Sequence, residues 1–358
     1  MGYLKNMSHN WPFVVALLVA WLGTDLLIPH VVRFARRFGK LDQPDARKVH
    51  KVAIPRLGGI AIFLGFILSL ITIELLEPGF LTRRGFAWYG IILGSSLMFL
   101  LGVADDLKSL PAKFKFLFQI GVALLAYWLD VRIEFLTNPF GGILILPQWL
   151  SICVTVFWLV GITNTINLID GLDGLAAGVS TIAGITLFII AIQTHQIFSA
   201  LIALTLVGGT IGFLRYNFNP AKIFMGDSGS LFLGFTLAAI SVSGVLKLAA
   251  TFSILIPILV LAVPILDTSM AILRRLLKGK PIFQPDKEHL HHKLLGRGMS
   301  QKRAVITIYG MSALLAGIAL YLIGTKVALS IIIASILILI FSFLRLDRLK
   351  SLVSKHND

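Results

Sequence analysis

LPQWLSICVTVFWLVGITNTINLIDGLDGLAAGVSTIAGITLFIIAIQ, residues 146–193, decides how the chain folds. It reads as two apolar runs, 146–163 and 175–192, joined by a stretch rich in Asn, Asp and Gly. Each run approaches the ~20 mostly apolar residues that cross a bilayer. The joint carries Asn164, Asn167, Asp170 and Asp173 at every third position. Two membrane helices with a polar turn at one face are the simplest structure for this pattern. The rest of the chain repeats the arrangement. Of 358 residues, 57% are hydrophobic and 14% charged, with a mean hydropathy of +0.89. A soluble domain carries about 25% charged residues, and one soluble core cannot absorb so much apolar sequence. Disordered, collagenous and disulfide-scaffold classes are excluded by the same figures. The lone Cys153 lies in an apolar run and reads as a small buried filler.

Eleven apolar segments qualify as spans: 12–30, 57–76, 87–104, 114–130, 146–163, 175–192, 197–214, 231–246, 250–273, 303–323 and 326–344. The expectation is an all-α, polytopic membrane protein forming one membrane-embedded domain over 1–358. The first segment runs into basic residues without a small-residue cleavage site, so it reads as a retained span. No internal repeat is visible. If the N-terminus lies outside and the spans alternate, 26 of the 32 Lys and Arg fall on the inner side. That asymmetry favours a cytoplasmic C-terminus. The net charge of +15 is then a signal of topology and not of nucleic-acid binding.

Five polar clusters share the inner side: 41–59, 104–116, 164–178, 217–230 and 285–298. The outer loops are short and chemically plain, so an active site built on one face is expected. Asp105 and Asp106 end the third span and point ~100° apart on a helix, which suggests separate roles. Asn164, Asn167 and Asp170 would share a ~120° arc if helical. Their hard oxygens suit Mg²⁺, and the plainer reading is a polar hairpin with Asx turns. Gly171 and Gly174 would let backbone approach a ligand. In FMGDSGS, Asp227 precedes a helix whose start is an anion site. A carboxylate there needs a cation between itself and a phosphate, which again argues for Mg²⁺. His289, His291 and His292 lie among cations, and no partner set completes a zinc site at the usual spacing. Hydrogen bonding to phosphate is the better use for them. Lys48, Lys51 and Arg56 are inner-loop cations whose ordinary reading is positive-inside charge. Asp25, Glu74 and Asp267 fall within spans, and Asp267 either lines the site or buttresses it. Acids, Mg²⁺ ligands and cations together describe phosphoryl transfer, here between a lipid and a water-soluble substrate.

Asp105-Asp106, NTINLIDGLDGLAAG, NPAKIFMGDSGS and HLHH, in this order, resemble the polyprenyl-phosphate N-acetylhexosamine-1-phosphate transferases (glycosyltransferase family 4). DQPDARKVH…PRLGG is similar to the first inner loop of that family. The resemblance runs from about 40 to 303. HLHH preceded by PDKE looks like the branch that uses UDP-GlcNAc, whereas the peptidoglycan branch typically carries three consecutive histidines. The resemblance implies that Asp227 is the main Mg²⁺ ligand with Asn167 nearby, Mn²⁺ being an alternative metal. Asp105 or Asp106 would deprotonate or orient the lipid phosphate, and Lys115 would meet phosphates. Phe224 and Gly171 would flank uracil. Asp170 and Asp173 would help hold nucleotide and metal, His291 and His292 would contact pyrophosphate or sugar, and Asn164 and His289 would belong to the substrate-binding set. Asp42 matches the acid of the first inner loop, and Lys51 joins the substrate-contacting set.

The implied reaction is transfer of GlcNAc-1-phosphate from UDP-GlcNAc to undecaprenyl phosphate at the cytoplasmic face of the plasma membrane. The implied assembly is a homodimer. The alternatives are a phospho-MurNAc-pentapeptide transferase and, in a different class, an ion-coupled transporter.

Overall fold

The computed structural model describes residues 10–43, 52–81, 86–137, 142–245, 255–279 and 289–354. Lys48 and Lys51 lie outside them. The described chain is mostly helical. Its helices are α1 (Trp11–Arg37), α2 (Gly58–Leu76), α3 (Ala87–Lys108), α4 (Ala112–Trp128), α5 (Gln148–Ile169), α6 (Leu175–Gln193), α7 (Ile197–Asn217), α8 (Gly226–Ile240), α9 (Leu255–Val260), α10 (Ala262–Leu277), α11 (Leu290–Gly296), α12 (Gln301–Leu322) and α13 (Ala328–Ser354). Among the described residues, seven are long and apolar enough to cross a membrane: α1, α2, α3, α5, α6, α7 and α12. The chain is therefore a multi-pass membrane protein. The α4 helix is shorter, at 17 residues, and α8 runs on into one π-helical turn, Ser241–Val245. The segment expected as one span at 250–273 is divided between α9 and α10. Pro264 in the first turn of α10 has no N–H to donate, and its ring crowds the preceding turn.

The structure is not purely helical. Two antiparallel ribbons accompany the helices: β1 (Leu41–Asp42) with β2 (Ile54–Pro55), and β3 (Phe135–Thr137) with β4 (Ile143–Ile145). The first ribbon matters for function, because it pairs Asp42 with Ile54 and fixes the approach to α2.

The centre of the fold is α8. Every residue from Ser228 to Ile240 is buried, as expected of a helix apolar on all sides. It is walled by α2, α3, α5, α6 and α7. Glycines let the walls close on its first turn. A Cβ at Gly59 would stand 2.1 Å from the Gly229 nitrogen, and one at Gly102 would stand 2.3 Å from the Asp227 carbonyl oxygen. The outside of the bundle is studded with exposed large apolar side chains, such as Leu26, Leu75, Leu117, Phe157 and Leu337, which suits a lipid surround. Cys153, expected inside, is exposed on the outer side of α5.

Candidate active site

FMGD is held by backbone hydrogen bonds to Pro55 and the start of α2 before it becomes a helix. Phe224 N–H donates to the Pro55 carbonyl (2.7 Å), and the Gly58 and Gly59 amides donate to the carbonyls of Phe224 (2.9 Å) and Met225 (2.8 Å). Gly226 then turns the chain at φ +72°, a conformation that favours glycine, and α8 starts. The free amides of that first turn are capped from another helix. Asp106 Oδ1 accepts from Asp227 N–H (2.9 Å), and its Oδ2 accepts from Ser228 N–H (3.0 Å). Arg56 Nη2 donates to the same Oδ1 at 2.9 Å. Asp106 thus acts as an N-cap supplied in trans.

Its neighbour Asp105 points elsewhere, as the 100° offset predicts. Asp105 Oδ1 accepts from Leu110 N–H at 2.7 Å and Oδ2 from Lys115 Nζ at 3.2 Å. The same ammonium donates to Asp227 Oδ2 at 2.9 Å, and Arg56 Nη2 stands 3.9 Å from Asp227 Oδ1. Asp227 therefore sits at a helix N-terminus with a cation on either side, an electropositive setting that also suits anions. Asn167 on α5 donates to Ser230 Oγ at 2.8 Å.

Beside this cluster opens a cleft of ≈ 370 Å³. Its walls include Asp42, Arg56, Asn167, Asp170, Gly171, Asp173, Asn217, Phe224, Gly226, Asp227, His291, His292 and Gln301. Residues far apart in sequence, from β1 to α12, meet here. Burial, then the nearby Asp227 and Asp106 carboxylates, push the Asp170 pKa up to about 7. Asp173 Oδ2 accepts from Asn219 Nδ2 (2.9 Å) and from Ala221 N–H (3.0 Å), bracing the turn that delivers Phe224. Asn217 adds to that brace by accepting from Gly174 N–H (2.9 Å) and donating to the Ile223 carbonyl (2.8 Å).

The histidines divide into two groups. His291 and His292 face the cleft, and a Cβ at Gly171 would come within 3.1 Å of His291 Nε2. Burial and the adjoining His292 and His289 lower the His291 pKa to about 4, so it is a neutral imidazole at pH 7. His289 turns the other way. Its Nδ1 meets Asp267 Oδ2 at 3.0 Å, while Asp267 Oδ1 accepts from Leu290 N–H at 2.7 Å. Asp267 buttresses the histidine segment and does not line the cleft. Asp267→Ala is expected to free the start of α11 and lower affinity for a cleft ligand by about tenfold, read by calorimetric titration. Unchanged affinity would show that the buttress is dispensable.

Five expected site residues are not among those lining the cleft, Lys115 being held between Asp105 and Asp227. Asp105 and Asp106 are engaged as described. His289 faces Asp267. Asn164 donates to Gln119 Oε1 (2.6 Å) and to the Val160 carbonyl (2.8 Å), toward α4. The other two acids within helices are also committed locally. Asp25 accepts from Arg215 at 2.9 and 3.0 Å, and Glu74 accepts from Gly79 N–H and Leu81 N–H at 2.7 and 2.9 Å. None of the three lines the cleft. Arg56, Asn217 and Gln301 were not singled out as site residues. For Asn217 and Arg56 the signal was available, since one opens NFNPAKIFMGDSGS and the other lies in PRLGG; for Gln301 it was not.

The family described as Glycosyl transferase family 4 matches residues 88–245. The chain is 42% identical over 326 residues to the "Probable undecaprenyl-phosphate N-acetylglucosaminyl 1-phosphate transferase" of Bacillus subtilis (strain 168), covering 91% of this chain and 89% of that protein. It is 35% identical to the "Decaprenyl-phosphate N-acetylglucosaminephosphotransferase" of Mycobacterium leprae (strain TN), covering 83% and 79%. It is 34% identical to the "Phospho-N-acetylmuramoyl-pentapeptide-transferase" of Listeria monocytogenes serotype 4b (strain CLIP80459), covering 84% and 93%. The ordered polar motifs, the cleft they build and relatives that align along most of both chains agree: the chain belongs to glycosyl transferase family 4.

Proposed function

We propose that the chain transfers GlcNAc-1-phosphate from UDP-GlcNAc to a polyprenyl phosphate, undecaprenyl phosphate in the first instance. A lipid phosphate oxygen attacks the β-phosphorus of UDP-GlcNAc. The bond between that phosphorus and the oxygen bridging to the α-phosphate breaks. The products are lipid-pyrophosphate-GlcNAc and UMP. One anhydride replaces another, so the reaction is close to balanced and reversible. The observation that carries this reading is Asp227, a carboxylate at the N-terminus of a buried helix, flanked by Lys115 and Arg56 and open to a cleft. The first two curated relatives above bear the names of GlcNAc-phosphate transferases, which supports this donor.

The donor set fits Mg²⁺. Among the described residues no group of three or more His, Cys, Asp or Glu forms a closed cage. One carboxylate, one amide, substrate phosphates and waters are what Mg²⁺ accepts. Asp227 and Asn167 would hold it, and when bound it would neutralise charge on the phosphates and the departing UMP. The remaining roles belong to the chain. Lys115, shared between Asp105 and Asp227, can move its ammonium to a phosphate oxygen while Asp105 keeps it aligned. Phe224 offers a ring face for uracil. Neutral His291 and His292 suit hydrogen bonds to the sugar or the pyrophosphate. Asp42 and Asp170 border the space left for the substrates. With the eleven apolar segments read as alternating spans of one domain, the charge asymmetry supports an outer N-terminus and a cleft on the cytoplasmic face.

The deciding experiment is UMP release by purified protein in detergent with undecaprenyl phosphate, Mg²⁺ and UDP-GlcNAc. UMP that requires both lipid and metal is expected. UMP formed only from UDP-MurNAc-pentapeptide would move the chain to the activity named for its Listeria relative. No UMP from either donor would end the transferase reading.

A further inference from the structure

The polar groups on the cleft wall are weighted toward the wrong charge for holding phosphates. Among the described lining residues, Asp42, Asp170, Asp173 and Asp227 are acids, and Arg56 is the one with a permanent positive charge. Two phosphorylated substrates must nevertheless meet here. A single divalent cation does not offset both these carboxylates and the incoming phosphates, and Lys115 is already shared between Asp105 and Asp227, so a cation on the cleft wall itself would add to the hold on them.

Arg56 is built for that task. Its backbone follows directly on β2, and Pro55 is locked by the bond from Phe224 N–H to its carbonyl. Its side chain is pinned at one end, where Nη2 donates to Asp106 Oδ1 at 2.9 Å. Asp106 is fully buried and also grips the first turn of α8, so Arg56 and Asp227 share one rigid mount. A guanidinium has five N–H donors in a planar fork, and the Arg56 side chain keeps 33% of its surface open. Its 3.9 Å distance from Asp227 Oδ1 is close enough to reach the same ligand, yet longer than a hydrogen bond. A guanidinium anchored at one nitrogen on the wall of a cleft is suited to bind phosphate oxygens in bidentate fashion.

We propose that Arg56 is a substrate-binding residue that grips the diphosphate of the nucleotide sugar beside Asp227, a role that rests on the transferase reading above. Positive-inside charge explains a cation somewhere in this loop. It does not explain a guanidinium anchored on a buried carboxylate and turned into the cleft.

Binding to the full-length protein with Mg²⁺ present tests this, with UDP-GlcNAc and uridine as ligands. Uridine carries the base and sugar and no phosphate. Arg56→Gln is expected to weaken UDP-GlcNAc by roughly 10- to 100-fold, the effect of losing hydrogen bonds to a charged group, and to leave uridine unchanged. Arg56→Lys keeps a positive charge without the fork and is expected to recover part of the loss. It also serves if the Gln variant is poorly folded. Equal weakening of both ligands would reduce Arg56 to a structural support for α8 and overturn the proposal. Unchanged UDP-GlcNAc affinity would overturn it too. Wild-type protein that binds UDP-GlcNAc but never forms UMP would end the transferase reading and leave the comparison of variants decisive. Wild-type protein that binds no UDP-GlcNAc would overturn both.

Discussion

Asp227→Asn is expected to cut UMP release by about 10²- to 10³-fold, the usual cost of deleting a group that stabilises developing charge. The substitution preserves shape and the start of α8, because Asp106 bonds the Asp227 backbone and not its side chain. Lys115 keeps its bond to Asp105 at 3.2 Å. The lost ion pair is partly exposed, with Lys115 at 24% and Asp227 at 18%, so its stability cost should stay near 1 kcal/mol or below. The expected pattern is therefore a nearly normal unfolding temperature, retained uridine binding and almost no turnover. Mg²⁺ dependence provides the second readout: raising the metal concentration should restore part of the activity if the amide is only a weaker oxygen donor. A variant that keeps more than a tenth of wild-type turnover would remove Asp227 from the centre of the mechanism.

Much of this site was legible because the chemistry is concentrated in short segments on one side of the spans. FMGD, NLIDGLD and HLHH each place at least two residues on the cleft wall. The missed features are those in which partners lie far apart in the chain. Nothing in the sequence pairs Asp106 with backbone amides 121 and 122 positions later. Arg56 stands in the quoted PRLGG, but its tie to Asp106, fifty positions later, shows only in the fold, where β2 fixes the residue before it. The three-residue spacing put Asn164 and Asn167 on neighbouring lines of α5, but spacing does not say which line meets a cleft. Asn164 lies one turn deeper and meets Gln119 instead. Cys153 illustrates a general limit of apolar helices. Lipid and protein interior select the same side chains, so a uniformly apolar helix does not reveal which of its faces is outside.

The two adjacent acids make a sharper test of the same geometry. Asp106→Ala is expected to destabilise the fold by about 3 kcal/mol, within the range for removing one partner of a buried charge pair. The substitution strips the cap from two amides of α8 and removes the hydrogen-bonded carboxylate of Arg56, leaving it Asp227, 3.9 Å away, and the charge of Asp42. Activity should fall with stability, and so should uridine binding, because the clasp that carries Phe224 leads straight into α8. Asp105→Asn should behave differently. Its Oδ1 can still accept from Leu110 N–H while the charge facing Lys115 is lost. The expected outcome there is slower turnover with little change in unfolding temperature. Thermal unfolding in detergent, uridine titration and UMP release on both variants separate the two roles. If Asp106→Ala abolishes turnover while unfolding and uridine binding remain at wild-type values, Asp106 acts on the substrate directly and its place as the cap of α8 is secondary.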